Sequence, residues 1–200
     1  NYNISCIKKH LNMNKKKINY FEKKLVNAFL KDKIISPIPV YFTKNISRAN
    51  KIRNLCESKI KKPIVGFKAG GTAIPVLKKL KEKEPFYAAV YKRNFLKNNK
   101  TVKINRYTLG IELEVCYLIK KEFFNLKKYI THKNIGKYIT HMAPCIEVVG
   151  YRQRKKGIKY LGDLCSDFGA NVKFIVGAKK KYKKINIGNL NTNISNKKIS

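Results

Sequence analysis

The sequence predicts an α+β protein, with a helical portion first and a mixed β-sheet after it. Three observations carry this reading. Apolar residues recur at three- and four-residue steps near the N-terminus, they come from Ile64 onward in short β-branched and aromatic runs, and Gly, Asn and Lys separate those runs. At 200 residues and 44% hydrophobic content, the chain can bury a real core.

Ile18, Phe21, Leu25 and Phe29 form one apolar stripe of a helix over about Lys15 to Lys31, and Pro37 and Pro39 then stop it. Ser47 reads as the cap of a second helix that carries Ala49, Ile52, Leu55 and Cys56 on one face. Beyond it, Ile64 to Phe67, Phe86 to Tyr91, Ile111 to Ile119, Cys145 to Val149 and Val172 to Val176 read as strands. One short helix is expected after Thr72 and another over Ile135 to His141. In the tail, Ile185, Ile187 and Leu190 form a candidate edge strand. The organisation is therefore a helical portion over 1–62, a β-rich portion carrying the chemistry over 63–178, and a polar tail, or the start of further strands, over 179–200.

The formal net charge is +35, from 46 basic and 11 acidic residues. Clustered cations bind phosphates by releasing counterions, so a polyanionic partner is the first class to weigh. Only six of the 46 are arginines, and the lysine excess accompanies abundant Asn, Ile and Tyr, the pattern of an AT-rich genome. Arginine is the side chain suited to bidentate phosphate and base contacts. No aromatic-interleaved motif accompanies lysine runs such as Lys15 to Lys17 and Lys179 to Lys181. Specific nucleic-acid binding is not expected, only salt-sensitive adhesion to polyanions.

Cys6, Cys56, Cys116, Cys145 and Cys165 are odd in number and contain no CxxC pair, which argues against a disulfide framework and a zinc site. Cys116 and Cys145 read as small core residues. A reducing, cytoplasmic setting is expected, with no membrane-spanning run and no signal-like N-terminus. The chain opens at Asn1 rather than Met and closes on a Lys/Asn tract, as expected of a piece of a longer protein.

Most acids lie in polar surroundings such as Lys81-Glu82-Lys83-Glu84, but three do not. Glu112 and Glu114 are two apart in a strand and point to one face, while Ile111, Leu113 and Val115 point to the other. Glu147 is embedded in Cys145-Ile146-Glu147-Val148-Val149. Grouped carboxylates in apolar surroundings need a compensating cation, and hard oxygen donors select Mg²⁺, Mn²⁺ or Ca²⁺. Glu112 and Glu114 alone would fit a lysine-paired sheet face, and Glu147 tips the balance to one divalent ion.

Lys68 follows a short apolar strand and precedes Gly70-Gly71, so its amine is a candidate acid or base, partly desolvated. The glycine pair matches neither the P-loop nor the dinucleotide pattern. Asp163 and Asp167, in Asp163-Leu164-Cys165-Ser166-Asp167-Phe168-Gly169-Ala170-Asn171, are two of only three aspartates, and aspartate also caps turns. His10, His132 and His141 show no metal-ligand spacing.

From about Ser47 to Gly177 these segments, taken in order, resemble the hydratase and decarboxylase branch of the fumarylacetoacetate hydrolase superfamily. Gly66-Phe67-Lys68-Ala69-Gly70 with Thr72 is similar to its Gly-x-Lys-x-Gly-Leu-Thr, and Glu84-Pro85 to the start of the next strand. Glu112-Leu113-Glu114 is similar to its metal-binding Glu-x-Glu, and Ala143 to Arg152 to the strand supplying the third ligand. Asp163 to Gly177 resembles the Asp-x-x-Ala-Asp-Asn segment and the strand after it. The resemblance implies a β-sheet roll lacking its C-terminal strands, metal ligands in Glu112, Glu114 and Glu147, and catalytic roles for Lys68, Asp163 and Asp167. It further implies Mg²⁺ or Mn²⁺, a small oxo-acid substrate, a homo-oligomer and a role in aromatic-compound catabolism.

The implied reaction is hydration of a 2-hydroxy-2,4-dienoate to a 4-hydroxy-2-oxo acid through an enolate. Decarboxylation of a 2-oxo acid and carbon–carbon hydrolysis of an acylpyruvate are the alternatives within the superfamily. Three positions depart from the pattern: Phe86 stands where the hydratases carry an aspartate, Phe168 replaces their Asn, and Gly71 replaces the Leu before Thr72. An inactive relative, or a basic polyanion-binding protein, is the remaining alternative.

Overall fold

Helix α1 spans Tyr2–Lys31 and buries Leu25, Ala28 and Phe29. Each large apolar side chain buried in this way contributes about 1.5–3 kcal/mol. Arg93 closes the helix end by donating to the carbonyls of Phe29 and Leu30 at 3.1 and 2.9 Å, groups that a helix C-terminus otherwise leaves open. The structure is a computed structural model describing residues 2–97, 100–126, 129–153, 155 and 157–186, with the side chains of 2–15 and 97 outside that description.

The prolines interrupt helix as expected, and Pro39 precedes the single turn α2, Val40–Thr43. Helix α3, Ile46–Lys59, starts earlier than the sequence reading, because Asn45 rather than Ser47 is its cap and accepts a hydrogen bond from Arg48 N at 3.0 Å. The earlier start lets Ile46 pack beside Ala49 and Leu161. Ala49, Ile52 and Cys56 are buried as the stripe predicts, and Arg53 is buried with them.

Strands β1, Ile64–Gly70, and β2, Phe86–Tyr91, form an antiparallel pair with Lys68 opposite Ala88 and Gly70 opposite Phe86. The expected short helix between them is α4, Ile74–Lys79. A second sheet takes the order β3-β6-β5-β4, from Phe95–Lys97, Asn171–Val176, Ile139–Gly150 and Thr108–Ile119. Strand β6 runs parallel to β3 and antiparallel to β5, placing Glu147 opposite Phe174.

The helix expected over Ile135 to His141 is instead one 3-10 turn, Ile135–Tyr138, followed directly by β5. Ile139 and Thr140 are β-branched and favour the strand. Helix α5, Leu161–Ser166, was hidden by aspartates that read as turn residues. Gly162 lets α5 approach α2, since a Cβ there would stand 2.1 Å from the carbonyl oxygen of Thr43. In the tail the strand is β7, Lys180–Lys181, paired with His141 and Met142 on β5, and Ile185 lies beyond it. Ile187 and Leu190 are outside the described residues.

Contacts divide the chain into two compact units, Asn1–Glu114 with Cys145–Gly177, and Val115–Pro144 with Ala178–Ser200. Helices α1 to α3 belong to the first of these units. Leu25, Phe29, Ile52 and Cys56 share one core with Ala89, Tyr91 and Phe168, so helices and strands of the first unit bury the same surface. In the second unit, Lys120 N donates to Tyr138 O at 2.8 Å and the rings of Tyr117 and Tyr182 meet edge-on at 6.1 Å. Among the described residues no helix is long and apolar enough to cross a membrane.

Candidate metal centre

Strand alternation puts Glu112 and Glu114 on one face of β4, and the neighbouring β5 contributes Glu147. One carboxylate oxygen from each of the three lies within 4.8 Å of the others. Their surroundings differ more than their sequence neighbours imply: Glu112 and Glu114 are exposed, and only Glu147, 1% exposed, is withdrawn from solvent. The cost of burying charge therefore falls mainly on Glu147.

Lys68 approaches from β1, and its Nζ donates to Glu147 Oε1 at 2.6 Å. That side chain is 9% exposed, so the pair lies largely out of water. Gly169 packs tightly against β2, since a Cβ there would meet Ala88 Cβ at 2.6 Å, and it lies beside Lys68, whose Cδ would stand at an ordinary 3.5 Å. Phe168, Gly169 and Ala170 have φ values of 53°, 68° and 63°, three left-handed residues in succession. Each non-glycine in that conformation costs about 1–2 kcal/mol. The burial of Phe168, whose ring lies 4.3 Å from that of Phe29, holds the turn in place.

Burial pushes the Glu147 carboxyl up to about 7, against the pull of Lys68, and the charges of Glu112 and Glu114 push it in the same direction as burial. Glu114 is also raised, by partial shelter first and Glu112 second, while Lys68 draws it down. Among the described residues three carboxylates thus share one ammonium, which leaves the cluster short of positive charge. An all-oxygen donor set of this kind fits a hard divalent cation such as Mg²⁺ or Ca²⁺, so the residues present suit a metal.

A cavity of about 290 Å³ adjoins the cluster. Lys68 and Glu112 stand on its border, while Phe86, Val149, Ile158 and Leu164 supply apolar wall. Phe86 itself is buried. Sequence reading missed Ile158, Leu164 and Gly169 as parts of this wall. No spacing marks them, although the run Asp167-Phe168-Gly169-Ala170-Asn171 hints at an unusual backbone.

Asp163 and Asp167, expected among the catalytic residues, are not brought to the cluster or the cavity wall. Asp163 closes a capping box on α5, its Oδ2 accepting from Lys159 N and Tyr160 N at 2.9 and 3.0 Å. Asp167 is wholly buried and accepts from Arg152 N at 2.6 Å and from an Arg152 guanidinium nitrogen at 2.9 Å. Both are engaged by neighbours that fix the backbone. The thiols of Cys56 and Cys165 are raised by burial, Cys165 to about 12, which fits packing rather than nucleophilic roles.

No family model matches the sequence, and no curated protein is significantly similar to it. Solved structures do match. Over 82% of this chain the fold superposes on 4-oxalocrotonate decarboxylase from Pseudomonas putida G7 complexed with magnesium and adipate, with a TM-score of 0.70 and 16% identity. The same enzyme complexed with calcium and acetate gives a TM-score of 0.68 at 16% identity and 82% coverage. The chain spans 63% of the first structure's length and 62% of the second's. The likeness establishes the fold alone, an α+β arrangement of helices and mixed sheet shared with that decarboxylase.

Proposed function

We propose that Glu112, Glu114 and Glu147 hold one divalent cation, Mg²⁺ or Mn²⁺, and that the chain serves an enzyme acting on a small 2-oxo acid in the adjoining cavity. The observation that carries this is the convergence of three carboxylate oxygens within 4.8 Å, short of positive charge, beside a cavity that also holds Lys68. When bound, the ion supplies Lewis acidity toward the carboxylate and 2-oxo oxygens of the acid. Lys68, which borders the cavity, carries a proton to or from the substrate. Phe86, Val149, Ile158 and Leu164 seat the hydrocarbon part and exclude water from it.

The motif order favours hydration of a 2-hydroxy-2,4-dienoate. Decarboxylation of a 2-oxo acid has equal support from the fold neighbours, and the apolar ring of Phe86 on the cavity wall counts toward it. A reducing cytoplasmic setting agrees with the free thiols of Cys56, Cys116 and Cys165. The homo-oligomer is part of the proposal and is checked by light scattering.

The deciding experiment offers the full chain, with Mg²⁺, a 2-hydroxy-2,4-dienoate and 4-oxalocrotonate in parallel, following dienol absorbance and CO₂ release. Loss of the dienol without CO₂ identifies a hydratase, and CO₂ from the second acid identifies a decarboxylase. Turnover of neither, including acylpyruvates offered as a third substrate, sinks the enzymatic reading.

A further inference from the structure

We propose that Lys68 is the resident cation of this centre and that an entering divalent ion displaces it from Glu147. The inference rests on reading the three glutamates as a metal site. Its starting point is the asymmetry among them. Glu112 and Glu114 are exposed, the latter partly sheltered, whereas Glu147 is 1% exposed and has one ammonium, 2.6 Å away, as its cationic partner among the described residues. A carboxylate so buried requires positive charge, and in the metal-free protein Lys68 provides it.

A divalent ion brings twice that charge to the same cluster. In a sheltered site two cations competing for one carboxylate repel strongly, so the ammonium gives way. It has somewhere to go. Lys68 borders the cavity, and its stem lies beside Gly169, where even an added Cβ would stand at ordinary contact distance, 3.5 Å from Lys68 Cδ. The stem can stay while Nζ swings into the cavity. The consequence is an order of assembly in which Lys68 is free to meet a substrate only once the ion is seated.

A competing effect must be weighed. Groups that orient metal ligands usually strengthen binding, and their loss costs about 10- to 100-fold in affinity. Those partners are hydrogen-bond acceptors or neutral donors, whereas Lys68 carries the same sign of charge as the ion. Relief of repulsion then outweighs loss of orientation, and removing Lys68 tightens binding.

Mg²⁺ titration calorimetry on the full chain tests this with wild type, Lys68→Met, Lys68→Arg and Glu112→Gln. Lys68→Met is expected to bind about tenfold more tightly, Lys68→Arg no more tightly than wild type, and Glu112→Gln far more weakly. In wild type, acylation of Lys68 by an amine reagent, read peptide by peptide, should rise severalfold on adding Mg²⁺. Equal or weaker binding by Lys68→Met, or acylation of Lys68 indifferent to Mg²⁺, overturns the exchange. Should Lys68→Met fail to fold, the wild-type labelling decides alone. Absence of Mg²⁺ binding in wild type removes the metal site and the exchange together. Binding lost in Glu112→Gln with Lys68→Met no tighter removes only the exchange.

Discussion

Asp167 and Glu147 are both buried acids in the first compact unit, and each touches one cation, at 2.9 and 2.6 Å. Around Asp167 the polar needs are largely met. Arg152 gives it a backbone N–H and a guanidinium N–H, donates as well to Asn171 O, and lies between the rings of Phe29 and Tyr107 at 5.1 and 5.0 Å. Burial raises the Asp167 carboxyl and Arg152 acts against it at every contact. Glu147 has one lysine and, in place of further donors, two more carboxylates. The first pair fixes a turn, and the second leaves a charge deficit beside a cavity. A buried acid points to function when its surroundings under-supply positive charge, not because it is buried.

The contrast breaks most visibly at Arg152. Arg152→Met strands Asp167 without its cation and is expected to cost about 3–5 kcal/mol in urea denaturation. A loss under about 1 kcal/mol would show that the pair does not hold the turn. The pH dependence sharpens the other side. The Glu147 carboxyl moves from its ordinary 4.5 to about 7 in the fold, so the folded chain keeps a proton that the unfolded chain releases. Stability of the metal-free protein should therefore fall as pH rises from about 4.5 to 7, by at most roughly 3 kcal/mol, and level off above. Glu147→Gln should abolish that slope and excess Mg²⁺ should reduce it; a slope surviving in the glutamine variant would assign it elsewhere. The smallest effect belongs to the turn between the two acids. Ala170→Gly relieves a left-handed alanine and should stabilise the chain by about 1 kcal/mol, read as a rise in Tm.

Local pattern made part of this legible. The period of Ile18 to Phe29, the β-branched runs and the two-residue spacing of Glu112 and Glu114 are properties of neighbouring residues, and they gave helices, strands and a shared strand face. Glu147 stood out because its flanking residues are apolar. The Lys68–Glu147 contact joins residues 79 apart, and Arg152 with Asp167 depends on a left-handed turn whose Phe168 and Ala170 no propensity predicts. Asp163 and Asp167 carry a physical ambiguity: short acids that cap helices and brace turns have the same local signature as acids placed for catalysis. Nor could sequence separate an exposed glutamate from a buried one on a strand such as β4, whose apolar Ile111 and Leu113 are exposed as well.

Whether the three glutamates form one metal site is tested most directly by Mg²⁺ titration calorimetry of wild type, Glu112→Gln and Glu147→Gln. One ion per chain is expected in wild type, with affinity lower by at least about a hundredfold in each variant. Equal binding by all three proteins would contradict it.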